Sequence, residues 1–160
     1  MSLFLSTYVN KVDKKGRVSV PANFRAALAG QNFHGVVVFG SYQHDCLEAC
    51  GMDRMEQLSE SVDALDLFSD EQDDLTTSLF ADAHQLPLDG DGRIILPTDL
   101  AAHAGIDLTS GSAQAAFVGR GKTFQIWSPE RFELHRKKAR ERAREHARTL
   151  KLQKQKENGE

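Results

Sequence analysis

The chain of 160 residues is poor in the residues that mark several protein classes. It has two cysteines, Cys46 and Cys50, so no disulfide framework is expected and a reducing cytoplasm is the default compartment. It has no apolar run near the ~20 residues that a bilayer span requires. The opening Met-Ser-Leu-Phe-Leu-Ser is too short, and lacks the basic start, for a secretory signal. Phosphate-binding glycine patterns are missing too: Gly105 and Gly119-Arg-Gly121 fit neither G-x-G-x-x-G nor a Walker loop. No Ser/His/Asp set or carboxylate pair stands out, so an enzyme is not expected, and neither is a cofactor or small-molecule substrate. His44, Cys46 and Cys50 have ligand chemistry but lack a fourth partner; the thiols read as packing residues. His84 and His103 read as structural or surface groups.

What is present is a soluble composition, 40% apolar and 27% charged, with the charge strongly segregated. Residues 1–28 carry five Lys/Arg (Lys11, Lys14, Lys15, Arg17, Arg25) against Asp13 alone. Residues 45–91 carry fourteen Asp/Glu against the single Arg54, and residues 130–160 carry eleven Lys/Arg against six Glu. The net charge of −3 therefore conceals surfaces of opposite sign and does not exclude a polyanionic partner.

The chain also repeats itself. Val12-Asp-Lys-Lys-Gly-Arg-Val-Ser-Val-Pro21 recurs 76 positions later as Leu88-Asp-Gly-Asp-Gly-Arg-Ile-Ile-Leu-Pro97. Phe24 and Leu100 occupy the same place after the proline, and 47–56 lines up with 124–133 after one inserted residue. Each copy reads as strand, tight turn, strand, short helix, strand, strand. Gly16 and Gly92 stand where the turn needs positive φ. Pro21 and Pro97 suit the first helical position, and Gly30 and Gly105 close the helices. Units of about 50 residues are small to stand alone, so two that interleave their strands to close one barrel are expected.

Between the copies, 53–66 reads as an amphipathic helix capped by Asp53, and 70–83 as a second helix after a break at Ser69 and Asp70. Leu75, Leu79 and Phe80 of the second are expected inward. The acidic middle reads as a solvated helical face turned away from any polyanionic partner, or as one side of a subunit interface. Ser128-Pro129-Glu130 starts a final helix that runs through Arg-rich sequence to about Lys154. Its segment 136–156 reads as a source of phosphate contacts or as an exposed helix with Glu–Arg pairs such as Glu141–Arg144.

Phe4-Leu-Ser-Thr-Tyr8, the two Asp-x-x-Gly-Arg motifs and Phe124-Gln-Ile-Trp-Ser128 resemble the MraZ family, a branch of the SpoVT/AbrB-like DNA-binding proteins, over roughly 3–135. Two motifs in one chain separate that family from AbrB-like proteins with one copy per subunit. The resemblance implies a mainly β fold with helices (α+β): a duplicated swapped-hairpin β-barrel with a pseudo-two-fold. It divides the chain into repeats at 6–53 and 82–129, a helical connector at 54–81 and a basic segment at 130–160. It also implies a ring-shaped, octamer-like homo-oligomer, nucleoid-associated in the cytoplasm. The implied partner is double-stranded DNA, at promoter direct repeats upstream of the division and cell-wall gene cluster.

The residues themselves nominate the DNA contacts. Lys14 and Lys15 suit phosphates as point charges, and Arg17 suits bidentate contact to guanine. Arg25 and Arg93 are secondary candidates. Asp13, Asp89, Gly16 and Gly92 are assigned supporting roles, the acids by accepting turn N–H groups or orienting the arginines. The second motif has Gly90 and Asp91 where the first has two lysines, so the copies cannot present equal charge. Two readings compete with DNA contact. Asp13–Arg17 and Asp89–Arg93 also fit as pairs that simply hold each hairpin shut, and the whole fold fits a protein-binding or antitoxin-like module.

Overall fold

The computed structural model describes residues 2–147 and 150. The chain runs β1 (Thr7–Lys11), β2 (Arg17–Ser19), α1 (Ala22–Leu28), β3 (Gly35–Gly40), β4 (Leu47–Cys50), α2 (Met52–Asp63) and α3 (Asp70–Thr76). A π-helical turn at Thr77–Ala81 follows, then β5 (His84–Pro87), β6 (Arg93–Ile95), α4 (Thr98–His103), a 3₁₀ turn at Leu108–Ser110, β7 (Gln114–Gly119), β8 (Phe124–Trp127) and α5 (Pro129–His146). The fold is mixed α+β, with every strand pair antiparallel.

The strand order exposes how the duplication is used. Six strands lie in the order β1-β7-β8-β4-β3-β5, and β2 pairs with β6 in a separate two-stranded ribbon. Exchanging each strand for its repeat equivalent reverses the order and leaves the sheet unchanged, so a pseudo-two-fold passes between β4 and β8. β1 pairs with β7 of the other copy, Thr7 opposite Val118, and β5 pairs with β3, Leu86 opposite Val36. Neither copy completes its own sheet.

Alternation along the strands divides the core by sheet face. Val36, Val38, Ala115 and Phe117 face the main core, which the ribbon closes with Val18 and Ile94. Phe24 of α1 is fully buried there against rings from both halves of the chain, Phe4 and Tyr8 on its own side and, from the other copy, Phe124 at 4.9 Å and Phe117 at 6.5 Å. Burying one such ring contributes about 1.5–3 kcal/mol. Val37 and Phe39 point the other way, under α2 and the α3–π segment, while Ala116, Val118 and Trp127 lie under Phe132 of α5. Helices α2 and α5 thus occupy equivalent places on the outer face.

Several expectations need correcting. The sheet is open, because no pairing joins its edge strands β1 and β5. Past each edge strand the chain bends into a hairpin, and the ribbon those hairpins build covers the core instead of a closing ladder. Pro21 and Pro97 are the N-caps of α1 and α4 rather than their first helical residues, with extended ψ of 142° and 150°. Gly51, not Asp53, caps α2, and the Asp53 N–H is satisfied by Gln31 Oε1 at 3.0 Å from the preceding repeat's loop. The second connector helix breaks at Thr76 into the π turn; Leu79 is buried, and Leu75 and Phe80 are partly so. Ser69 does mark the break, accepting from the Gln72 N–H at 3.1 Å, and Ser128 caps α5 through the Arg131 N–H. α5 ends at His146; its expected extension over 148–149 and 151–154, and Arg148 with it, lies outside the described residues.

Candidate nucleic-acid interface

Each Asp-x-x-Gly-Arg motif of the duplication builds a hairpin tied together by its aspartate. In the first hairpin (12–18), Asp13 N–H donates to the Arg17 carbonyl at 3.0 Å and Gly16 N–H to the Asp13 carbonyl at 2.9 Å. Asp13 Oδ1 accepts from the N–H groups of Lys15 and Arg17, both at 2.9 Å, and Oδ2 from Arg17 Nε at 2.6 Å. The Arg17 backbone bond, followed by its side-chain bond, holds the Asp13 carboxyl below its ordinary range. The aspartate therefore both closes the turn and orients the arginine. This leaves Lys14 and Lys15 exposed at the tip. Among the described residues, no hydrogen bond or ion pair engages the two terminal nitrogens of Arg17.

The second hairpin (88–94) has the same backbone and a different surface. Asp89 Oδ1 accepts from the N–H groups of Asp91 at 2.8 Å and Arg93 at 2.9 Å, and the Arg93 backbone bond again lowers its pKa. Arg93, however, spends two nitrogens on acids: Nε at 3.3 Å from Asp89 and Nη2 at 3.1 Å from Asp91. The first turn sums to +2 (Lys14, Lys15 and Arg17 against Asp13), the second to −1 (Arg93 against Asp89 and Asp91).

The turns are locked to one another. Gly16 carbonyl accepts from Leu96 N–H at 2.8 Å, and Gly92 carbonyl from Val20 N–H at 3.0 Å. Both glycines have positive φ, 88° and 75°. A Cβ on Gly16 would strike the Leu96 carbonyl, whereas one on Gly92 would first meet the Arg25 side chain. Arg25 of the first repeat thus lies across the turn of the second, at the hairpin that has no lysines. Its counterpart in the second repeat is Ala101, which is buried.

Between the turns, the ribbon pairs Arg17 with Ile95, Val18 with Ile94 and Ser19 with Arg93. Val18 and Ile94 face the core, so Arg17, Ser19, Arg93 and Ile95 share the outer face. Arg17 and Arg93 are diagonal neighbours across the ribbon, a relation that places Cβ atoms roughly 7–8 Å apart. The structure thus brings all five basic candidates to one ribbon and its flank. Sequence reasoning missed Ser19 and Ile95, the latter 58% exposed. The alternation Arg-Val-Ser and Arg-Ile-Ile was the signal available for them.

The remaining candidates lie elsewhere. Cys46 and Cys50 are buried on the outer face in separate clusters, and burial pushes both thiols up to about 12. His84 Nε2 is 3.3 Å from Asp99 Oδ2, and His103 lies against Gly40. His44 and His135 pack together with Trp127, ring centroids 4.6 Å apart, and desolvation lowers the His135 pKa with help from His44. Arg136 of α5 reaches back over the Phe132 ring and donates to Thr7 Oγ1 at 3.3 Å. No described helix is long and apolar enough to cross a membrane.

Known proteins resemble this chain over nearly its whole length. A family model described as "MraZ protein, putative antitoxin-like" matches residues 3–77 and again 79–154. A protein of Rickettsia akari (strain Hartford), named transcriptional regulator MraZ, is 49% identical over 150 residues, covering 94% of this chain and 97% of that protein. Proteins of the same name from Rickettsia felis and Rickettsia bellii are 47% and 44% identical, with the same shares covered. The chain belongs to the MraZ family.

Proposed function

We propose that this chain is a sequence-specific DNA-binding transcription regulator, and that its first hairpin makes the main contact. The observation that supports it is the unequal use of two like hairpins: the first carries Lys14, Lys15 and an Arg17 with free terminal nitrogens on a locked turn. The major groove of B-DNA admits a two-stranded β-ribbon, and this one carries Arg17, Ser19, Arg93 and Ile95 outward. Lys14 and Lys15 neutralise phosphates, and Arg17 reads a guanine edge. Arg25 adds a cation beside the second turn, and Arg93, held by two acids, contributes least. Asp13 and Asp89 keep the arginines in place, and Gly16 and Gly92 allow the turns.

The scaffold for this is the duplicated swapped-hairpin unit of the family, here an open six-stranded sheet covered by the hairpin ribbon, with repeats at 6–53 and 82–129, the connector 54–81 and the basic segment 130–160. The family resemblance supplies the target: direct repeats upstream of the division and cell-wall cluster, the chain's own promoter included. It also supplies the nucleoid setting and a ring-shaped, octamer-like assembly. One hairpin with a few phosphate contacts binds weakly, and an assembly presenting several to evenly spaced repeats gains avidity.

Mobility-shift titration with the DNA upstream of this gene, at two salt concentrations, tests the reading. A stepwise, salt-sensitive shift that Arg17→Ala abolishes in a folded protein supports it. A shift unaffected by Arg17→Ala leaves the hairpins as scaffold. That outcome favours a protein-binding, antitoxin-like module, a reading for which the family model's own description and the acidic connector speak.

A further inference from the structure

The outer face of the sheet carries two helical layers in equivalent places with opposite charge. Residues 52–83 hold ten Asp/Glu against Arg54, while α5 (Pro129–His146) holds seven Lys/Arg against four Glu. Each layer also exposes apolar side chains that its own copy leaves uncovered. At the tip between α2 and α3, Leu67 is 73% and Phe68 97% exposed. Phe68 is held at φ 64°, a left-handed conformation that a bulky residue adopts only at a cost. Asp66, Asp70 and Glu71 flank this tip. On α5, Leu134 is 67% exposed and begins a stripe that continues, at helical spacing, through Lys137, Arg140 and Arg144. Among the described residues none of those three cations has an ion-pair partner, and neither do the acids beside the tip.

We propose that the Leu67–Phe68 tip of one copy docks on the Leu134 stripe of α5 in a second copy, acid against base around an apolar centre. The inference rests on the self-association in the proposed function and names the surfaces that would build it. Two unlike faces placed on opposite halves of one sheet make a heterologous, head-to-tail contact, which passes from copy to copy and closes or extends by its own geometry. Both faces lie on the side of the sheet away from the main core and its ribbon, so assembly leaves the basic hairpins open.

Light-scattering mass of the full chain without DNA, across a salt series, is the test. The wild type is expected well above its 17.8 kDa monomer mass and to fall toward it as salt rises. Leu67→Ser with Phe68→Ser, both exposed and without a core role, should weaken association about tenfold or more. Lys137→Glu with Arg140→Glu should do the same, as should Asp66→Lys with Glu71→Lys. Mixing those two charge-reversed proteins should restore assembly, which damage to folding would not. A monomeric wild type, unchanged mass in the reversed proteins, or a mixture no larger than its parts would overturn the proposal. So would an α5 reversal that lowers DNA affinity at unchanged mass, since the stripe would then serve nucleic acid. Because mass is read without DNA, failure here leaves the Arg17 experiment standing, and failure there leaves this one.

Discussion

The first and second hairpins share a backbone, an Asp-to-N–H lattice and a positive-φ glycine, yet they present +2 and −1 of charge. Duplication supplied two equal frames, and the frame needs only Asp, Gly and the apolar residues that face the core. The two positions at each tip have no packing role, and there the copies diverge: Lys14-Lys15 in one, Gly90-Asp91 in the other. Asp91 goes further and engages the arginine that would otherwise match Arg17. Arg25 partly offsets this by crossing to the second turn. Shared residues between the repeats therefore mark architecture, and under the proposed function the differences between them mark where DNA contact concentrates.

The largest test of the shared frame is at its glycines. Gly16→Ala should cost about 2–4 kcal/mol in denaturant unfolding, from positive φ and the collision with the Leu96 carbonyl. Gly92→Ala should cost about 1 kcal/mol, from positive φ alone, because the nearest atoms belong to the flexible Arg25 side chain, which can move. Gly90→Ala, with open space around it, should change stability by less than about 0.5 kcal/mol. Equal losses at 16 and 92 would break the asymmetry claimed for the two turns.

Next in size is the functional contrast. Arg17→Ala should lower affinity for upstream DNA by about 1–3 kcal/mol, the range for a bidentate base contact. Arg93→Ala should lose less than half as much, since its nitrogens already face two acids. Fluorescence anisotropy at fixed salt reads both. If Arg93→Ala costs as much as Arg17→Ala, the charge balance of the turns is not what directs DNA contact.

Much of this frame was legible in the sequence, and the reasons are local. A period of two, a glycine at a turn and a Ser-Pro-Glu start each code for an element within a few residues, so the strands, the short helices and α5 were recoverable. Partners distant in sequence were not. Nothing near Thr7 specifies Val118 as its neighbour, and nothing near Asp53 specifies that Gln31 will satisfy its N–H. Arg25 reads as a cation on the first repeat's helix, but only the strand exchange brings it to Gly92. The expected closed barrel failed for a similar reason: interleaving follows from small repeats, while closure depends on where each edge strand bends.

A smaller contrast concerns acid. The Asp13 and Asp89 carboxyls are both depressed in the folded chain, so the stability they contribute is present above the unfolded carboxylate pKa of about 3.9 and is lost as pH falls through the lower folded value. Asp13→Asn and Asp89→Asn should each flatten that acid limb of the thermal-stability curve. The Arg17 side-chain hydrogen bond is the second cause for Asp13, whereas the Arg93 charge and side-chain hydrogen bond come last for Asp89. Carboxyl NMR titration should therefore show Arg17→Ala raising the Asp13 pKa more than Arg93→Ala raises that of Asp89. The smallest effect is at the thiols: with pKa values of about 12, Cys46 and Cys50 of the folded protein should react with a disulfide reagent at pH 8 far more slowly than after denaturation.

The central claim is that the tip charges of the first hairpin, on a frame both hairpins share, direct this chain to DNA. Exchanging the tips tests it most directly: Lys14→Gly with Lys15→Asp, against Gly90→Lys with Asp91→Lys, in anisotropy titrations at several salt concentrations. The account predicts that the first exchange flattens the dependence of log affinity on log salt by about 2 units, near the 0.9 per phosphate contact expected for two lysines. It predicts that the second steepens the dependence, by adding cations and freeing Arg93. Unchanged slopes in both proteins, with folding intact, would contradict it and shift the DNA contact away from the hairpins.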